Sequence, residues 1–399
     1  MASCTSTPTH EPYKIYTFED NPYVAEVWWG DDYDFEASTT FFKNRQLNLK
    51  SGCSSWRKDN FHGRNIDWMM QPYVSMIIHL PKGKDVKYAS VGITAGSNVI
   101  NKEFIDNNEY IPEDMRYFVP SMIVDGINEM GVVINHNIVP YDTVDAPEYE
   151  QNGDFGSYQI CRFVLDNCAT AAEAVELLTD KKITQSVVKL ANDYSHFQIS
   201  DPTSSYVLEW INNEFVATEF KDNDGDGIYT SANNQPAIMT NYFVGQAEKY
   251  GLATNDFFKA HRCGAGIERA QIINEALPSA KTVEDHFNIC RSVWYSQFCS
   301  GKTDWISENA GSYGYDEAKD KAYWEYNGKT HWMDNDDVYA AAKELFACDE
   351  FQTYYSDFLN GNNEVKEGNS YWFTQHSVVY DIDAKKGYII AQEGAYSNE

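Results

Sequence analysis

The chain is poor in positive charge. Its 399 residues hold 31 lysines and arginines against 60 aspartates and glutamates, a formal net charge of -29. So acidic a surface repels a phosphate backbone, which excludes nucleic acid as a partner. It suits solubility, and it fits a secreted or surface protein. Long apolar runs are also missing. YVSMIIHL, at Tyr73–Leu80, is among the longest, and a spanning helix needs about 20 such residues. No repeat with a period of roughly 20–50 residues is visible, so a solenoid or propeller is excluded. Eight cysteines (Cys4, Cys53, Cys161, Cys168, Cys263, Cys290, Cys299 and Cys348) include no close CxxC pair, which removes zinc-finger spacing. Most read as buried thiols, and a disulfide among the later ones is left open by the sequence.

What is present suffices for a large core: 43% of the residues are hydrophobic and 15% aromatic. The opening MASCTSTPTHEP contains no signal peptide, but its Ala-Ser-Cys is how a bacterial lipoprotein signal ends. The expectation is a cell-surface lipoprotein, extracytoplasmic, with a lipid anchor on Cys4 and a Ser/Thr/Pro tether after it; a cytoplasmic chain with a frayed tail is the alternative. Residues 1–52 read as this tether and a propeptide, with the aromatic and acidic stretch VWWGDDYDFEASTTFF able to pack against the rest. Residues 53–399 contain no linker and read as one domain.

Within that domain, CSSW and FHGRNIDW flank a polar turn, RKDN. VSMIIHL, YASVGITAG and SMIVDGINEMGVVINHNIVP follow as strands, the last with bends at Gly126 and Gly131. SYQICRFVLDNCATAAEAVELLTD carries two helical patterns, the second opened by a capping box of Thr170 and Glu173. Two strands then turn at Asp201–Ser204, PAIMTNYF adds a short strand, and two more helices follow. A hairpin turning at Asp383–Gly387 closes the chain. Strand blocks joined by tight turns, alternating with paired helices, predict an α+β fold. Its architecture would be a four-layer αββα sandwich, two antiparallel sheets between helical layers.

Cys53 stands out because its neighbourhood suits a nucleophile at a chain start. A thiol needs a base close by. A free α-amine on the same residue serves, since its pKa lies near 8. Making that amine requires cleavage between Gly52 and Cys53, where glycine leaves the scissile carbonyl unobstructed. The Cys53 thiol can attack that carbonyl itself, giving a thioester that water opens. In a hairpin, Arg64 comes beside the thiol and lowers its pKa. Asp67 comes beside the α-ammonium.

These residues carry a resemblance. Cys53 with FHGRNIDW resembles the start of the choloylglycine hydrolase and penicillin V acylase family, N-terminal nucleophile (Ntn) hydrolases with acid-ceramidase-like relatives. VDGINEMGVVINHNIVP, HFQISDPTSSYVLEW, AIMTNYF and GIERAQII resemble later family segments in order, over roughly residues 51–395. The resemblance implies the Ntn-hydrolase fold and hydrolysis of a linear amide of a small N-acyl substrate, with no cofactor required. It implies Cys53 as nucleophile and, after cleavage, as base. It places Arg64 beside the thiol, Asp67 on the α-amine and Asn241 at the oxyanion. Asn137, with Asn135 in reserve, supplies the other oxyanion contact, and Arg269 completes the set. The bile-salt enzymes expose their cysteine after losing only methionine; here 52 residues precede it and the hairpin turn is short. That favours relatives with a true propeptide and other N-acyl amides.

Three further features stay open at this level. His136, His196 and His376 have no spacing that selects a Cys–His dyad, and core histidines are commoner. DNDGDG sets Asp222, Asp224 and Asp226 at alternate positions like half an EF-hand loop, a calcium candidate, but its twelfth position is Asn233 rather than glutamate. The rival functions are acyl transfer to another amine and a surface ligand-binding protein that never matures; the oligomeric state is open.

Overall fold

A computed structural model describes residues 13–18, 24–30, 33–43, 51–69, 75–95, 119–139, 153–184, 194–211, 214–246, 266–293, 312–316, 319, 321–326, 329–332 and 372–391. Two sheets dominate. The larger has nine strands and the smaller five. In chain order the first strands are β1 (Tyr13–Thr17), β2 (Val24–Trp29), β3 (Ser51–Lys58), β4 (Phe61–Met69), β5 (Ser75–Leu80), β6 (Ser90–Ala95), β7 (Ile123–Asn128) and β8 (Val133–Val139). Next come the short β9 (Phe155–Gly156) and β10 (Ile183–Thr184), then β11 (Tyr194–Ser200), β12 (Ser205–Ile211), β13 (Glu214–Phe220) and β14 (Ile238–Met239). A separate three-stranded sheet, β15 (Ser312–Asp316), β16 (Lys321–Tyr326) and β17 (Lys329–Trp332), precedes β18 (Trp372–Asp381) and β19 (Lys386–Ala391). The large sheet runs β1-β2-β5-β6-β7-β8-β11-β12-β13, and the small one β14-β3-β4-β18-β19.

Helices lie outside both sheets. Helix α1 (Phe35–Lys43) packs near β9, and α2 (Ile160–Asn167) and α3 (Ala171–Thr179) pack on the large sheet. Helices α4 (Ile267–Ala276) and α5 (Val283–Ser292) pack on the small one. The sheets face each other through β3 and β4 against β8 and β11, so the order of layers is helix, sheet, sheet, helix. Local chemistry explains the helix starts. Thr170 accepts from the Glu173 amide at 3.1 Å, and Thr282 with Asp285 forms a reciprocal capping box.

Strand alternation sorts the two faces of the large sheet. Ile134 on β8 and Phe197 and Ile199 on β11 join Ile160, Val164, Leu165 and Leu178 in the main apolar core, under the helices. Between the sheets the fill is largely polar: His62 and Arg64 on β4 meet Asn135 and Ser200 or reach Asp125. A small apolar cluster of Ile93, Ile127, Val133, Val378, Tyr380 and Ile382 joins strands of the two sheets.

One expectation is filled in and two change. The aromatic and acidic stretch expected to pack against the rest belongs to a segment that does so: β1 and β2 are strands of the large sheet, and Tyr13, Ala25, Val27 and Trp29 are core residues. Ser38 on α1 hydrogen-bonds Ser121 at 2.5 Å. Apolar strands with period-2 burial are claimed by any sheet edge they fit, whatever lies beside them in sequence. The large sheet is also not wholly antiparallel, since β2 and β5 run parallel. The β3–β4 hairpin that connects them belongs to the other sheet, so the chain returns in its original direction. The bend at Gly131 is present, with φ +87, while Gly126 lies inside β7.

Candidate active site

Cys53 is the third residue of β3, and its peptide bond to Gly52 lies within the β3–β4 ladder. Gly52 pairs with Asp67 and Cys53 with Ile66. The cysteine is 1% exposed. The tight hairpin turn brings Arg64 back beside it, with guanidinium Nη2 3.8 Å from Sγ. The same Nη2 donates to the His136 carbonyl at 2.7 Å, and Nη1 donates to Asp125 Oδ2 at 2.7 Å. Asp125 also receives the Tyr380 hydroxyl at 2.5 Å, and His376 Nε2 lies 3.2 Å from Oδ2. Ser75 closes the chain on His376 Nδ1 at 3.1 Å. Burial opposes both charges of the Arg64–Asp125 pair. Asp125 and the Cys53 sulfur nonetheless hold the Arg64 guanidinium above its usual range, and Arg64, His376 and Tyr380 hold Asp125 below the usual carboxylate range.

A second arginine grips the other side. Arg269, in the first turn of α4, donates from Nη1 to the Cys53 carbonyl at 3.2 Å and to Asp67 Oδ2 at 2.9 Å. Its Nη2 hydrogen-bonds Asn241 Oδ1. That oxygen also accepts from the Cys53 main-chain nitrogen at 3.3 Å. Two donors on one atom fix the amide orientation, so Nδ2 points the other way and donates to the Ile138 carbonyl at 2.6 Å. Thr374, on β18, donates to Asp67 Oδ1 at 2.5 Å.

The asparagines of β8 form a relay behind this group. His62 Nε2 lies 2.8 Å from Asn135 Oδ1, and Asn135 Nδ2 donates to Asn137 Oδ1 at 2.9 Å. Asn137 Nδ2 reaches the carbonyls of Met239 and Thr240 at 3.2 and 3.3 Å, the two residues leading into Asn241. Cys53, Arg64, Asp67, Asn241 and Arg269 therefore form one connected network, with Asn137 against its Asn241 arm.

The arrangement suits acyl chemistry. A guanidinium beside a thiol favours the thiolate. The Asn241 amide has a second N–H beyond the one given to Ile138, available to a developing oxyanion. Sequence reasoning gave no role to Asp125, Thr374 or Tyr380. Asp125 sits in the quoted VDGINEMG segment, which was the only signal for it. Thr374 lies 307 residues from Asp67, and nothing local marks it.

In the acidic loop two of the carboxylates accept from main-chain amides. Asp222 accepts from the amides of Gly225 and Gly227 at 2.7 and 3.1 Å, and Asp226 from Ile228 at 2.8 Å. Lys58 Nζ reaches the Asp226 carbonyl at 2.8 Å and Asp59 at 2.9 Å. The Asp222 and Asp226 carboxylates are turned to the loop's own backbone, and Lys58 joins the loop to the hairpin turn. Asp222, Asp224 and Asp226 do not form a metal-ligating group, and no such group occurs among the described residues. The loop instead braces the β3–β4 turn, where the Asp59 amide donates to Gly227 at 2.9 Å. Cys4 lies outside the described residues.

Residues 53–220 match the model of the linear amide C–N hydrolases, choloylglycine hydrolase family. No curated protein matches the chain. Among solved structures, a mutant of the conjugated bile acid hydrolase from Clostridium perfringens is similar at 14% identity and a TM-score of 0.36, covering 86% of this chain and 89% of that one. A second variant of that hydrolase also gives 14% identity, with a TM-score of 0.37 and coverage of 86% and 90%. Penicillin V acylase from Agrobacterium tumefaciens gives 16% identity and a TM-score of 0.32, covering 75% of this chain and 82% of that one.

Proposed function

We propose that this chain, similar over residues 53–220 to the linear amide C–N hydrolases of the choloylglycine hydrolase family, is a cysteine N-terminal nucleophile amidohydrolase that matures by cutting its own Gly52–Cys53 bond. The observation that carries the reading is the grip on Cys53: sulfur beside Arg64, nitrogen on Asn241 and carbonyl on Arg269.

In maturation, Cys53 Sγ attacks the Gly52 carbonyl carbon through a five-membered ring. The C–N bond breaks, the nitrogen takes a proton, and a Gly52 thioester remains. Water opens it, leaving a Gly52 carboxylate and a free Cys53 α-amine. In turnover that amine takes the thiol proton as sulfur attacks the substrate carbonyl. The oxyanion is held by the free Asn241 N–H; Asn137, expected to supply the other contact, instead donates to the Met239 and Thr240 carbonyls and supports Asn241 from behind. The α-ammonium, held by Asp67 and Asn241 Oδ1, gives its proton to the leaving amine. A water then opens the acyl thioester and regenerates the thiol. No step calls on a cofactor. The substrate class is a small N-acyl amide.

Intact-mass measurement tests this. Wild-type protein yields a species beginning at Cys53, and Cys53→Ala stays whole. The matured protein hydrolyses a member of a panel of phenoxyacetyl, fatty-acyl and bile-acid amides. An uncut chain that turned over an amide would sink the α-amine as base. Product formed on an added amine in place of water identifies transfer.

A further inference from the structure

Asn241 is the pivot of the network, yet it sits in a segment with little regular structure. Only Ile238–Met239 before it forms a strand. Something must hold it to the accuracy that transition-state stabilisation requires. Two buried residues outside the assigned site do so from both sides. His196, on β11, lies with Nε2 2.9 Å from the carbonyl of Thr240, the residue before Asn241. Its Nδ1 lies 3.2 Å from Glu209 Oε1 on β12. Glu209 in turn accepts from the Val244 amide through Oε1 at 2.8 Å and from the Gly245 amide through Oε2 at 2.7 Å. Both side chains are 0% exposed.

The geometry is that of a clamp. One jaw is the imidazole, on the carbonyl just before Asn241. The other is the carboxylate, on the amides of Val244 and Gly245 after it. The jaws are joined through His196 Nδ1 and Glu209 Oε1, and both ring nitrogens face oxygens that only accept. Asn137 adds a second donor to the Thr240 carbonyl, and the Thr240 hydroxyl donates to Gly266 at 3.0 Å. Gly266 is the left-handed cap (φ +72) of α4, which carries Arg269. A Cβ there would meet Arg269 Nη2 at 2.7 Å, which is why glycine opens that helix. Asn241 and Arg269 thus share one support.

We infer that His196 and Glu209 are positioning residues for the amide hydrolysis: they act through Thr240 and the Val244–Gly245 turn to hold Asn241 at the oxyanion. The inference rests on Asn241 having that role. It gives work to a histidine whose spacing alone marked no dyad, and it does so without contact to substrate.

The test is a double-mutant cycle on the full chain. His196→Phe keeps the volume and removes both polar contacts; it lowers kcat on an N-acyl p-nitroanilide about tenfold to a hundredfold, with KM nearly unchanged. His196→Gln, which restores a donor toward Thr240, recovers most of the loss. In an Asn241→Ala background the His196→Phe factor collapses toward one, because both changes remove the same contribution. An equal factor in both backgrounds overturns the inference. An Asn241→Ala protein with wild-type kcat overturns the Asn241 assignment and the clamp with it. Hydrogen exchange reads the clamp without turnover. Exchange over residues 240–245 rises in Glu209→Gln and in His196→Phe, and unchanged exchange in both also overturns the inference. Wild-type protein inert toward every amide would sink the enzyme reading, while the exchange result still decides the clamp.

Discussion

Gly52 lies directly opposite Asp67 in the β3–β4 ladder. The bond proposed to break is thus held in a strand whose partner strand carries the carboxylate proposed to take the new amine. Asp67 is itself pinned by Arg269 and Thr374. Asp67→Asn keeps the shape and removes the charge. It slows appearance of the Cys53-started species and lowers kcat by about a hundredfold, the scale of one positioned group in acid–base work. Time-resolved intact mass and steady-state kinetics on the matured fraction separate the two effects.

The Arg64–Asp125 pair is wholly buried on both sides. Removing one partner of such a pair costs about 3–5 kcal/mol, because the survivor keeps its charge without compensation. Asp125→Asn is expected to lower stability on that scale in urea denaturation. Arg64→Met removes the cation beside Cys53, so alkylation of Cys53 by iodoacetamide moves to higher pH. An unmoved alkylation profile would show that Arg64 does not activate the thiol.

Acid sensitivity follows from buried histidines. Burial pushes His62 and His136 down to about 3 and His286 to about 4. In the unfolded chain each titrates near 6.5. Between those values the unfolded state binds protons that the folded state refuses, so stability falls as pH drops. Each histidine contributes a loss of about 1 kcal/mol per pH unit in that window. Urea midpoints at pH 7 and pH 5 should differ clearly. His286→Phe, which also removes the bond from the Trp56 indole at 2.9 Å, should make the slope shallower.

Calcium is expected to change little. Neither a chelator nor added calcium should move the melting temperature, since the loop carboxylates accept from their own backbone. Asp222→Ala removes two of those bonds next to the hairpin turn and lowers the melting temperature by a few degrees, on the scale of about 1–2 kcal/mol.

The N-terminal strands are expected to outlast the cut. β1 and β2 pair within the large sheet and bury Tyr13, Val27 and Trp29. A fragment ending at Gly52 should co-elute with the Cys53-started chain in size exclusion and separate from it in urea. Separation in native buffer would mean that the strands contribute little to holding it.

How much was legible in the sequence varied with range. The Thr170 cap, the Asp201–Ser204 turn and the C-terminal hairpin rest on contacts a few residues apart, and they were readable. The pattern around Cys53, Arg64 and Asp67 was readable because one hairpin carries all three. Asn241 and Arg269 reach Cys53 across 188 and 216 residues, and only family likeness pointed to them. Asp125, Thr374 and Glu209 escaped notice because an isolated Asp, Thr or Glu on a strand reads as an outward-facing polar residue. Nothing in the text says that the layer between the sheets is the polar one. The same blindness hid where β2 pairs, since its partner strand β5 lies beyond an entire hairpin of the other sheet.

Those two strands also bear on the order of events in the protein's life. As a single chain, the protein assembles its large sheet in a one-body reaction whose rate is independent of concentration. With Gly52 and Cys53 parted as proposed, the same sheet would consist of two molecules, and any later unfolding would make recovery a second-order encounter. The cut would act as a one-way gate. A precursor denatured and diluted should recover, whereas a matured sample treated alike should recover less the more dilute it is.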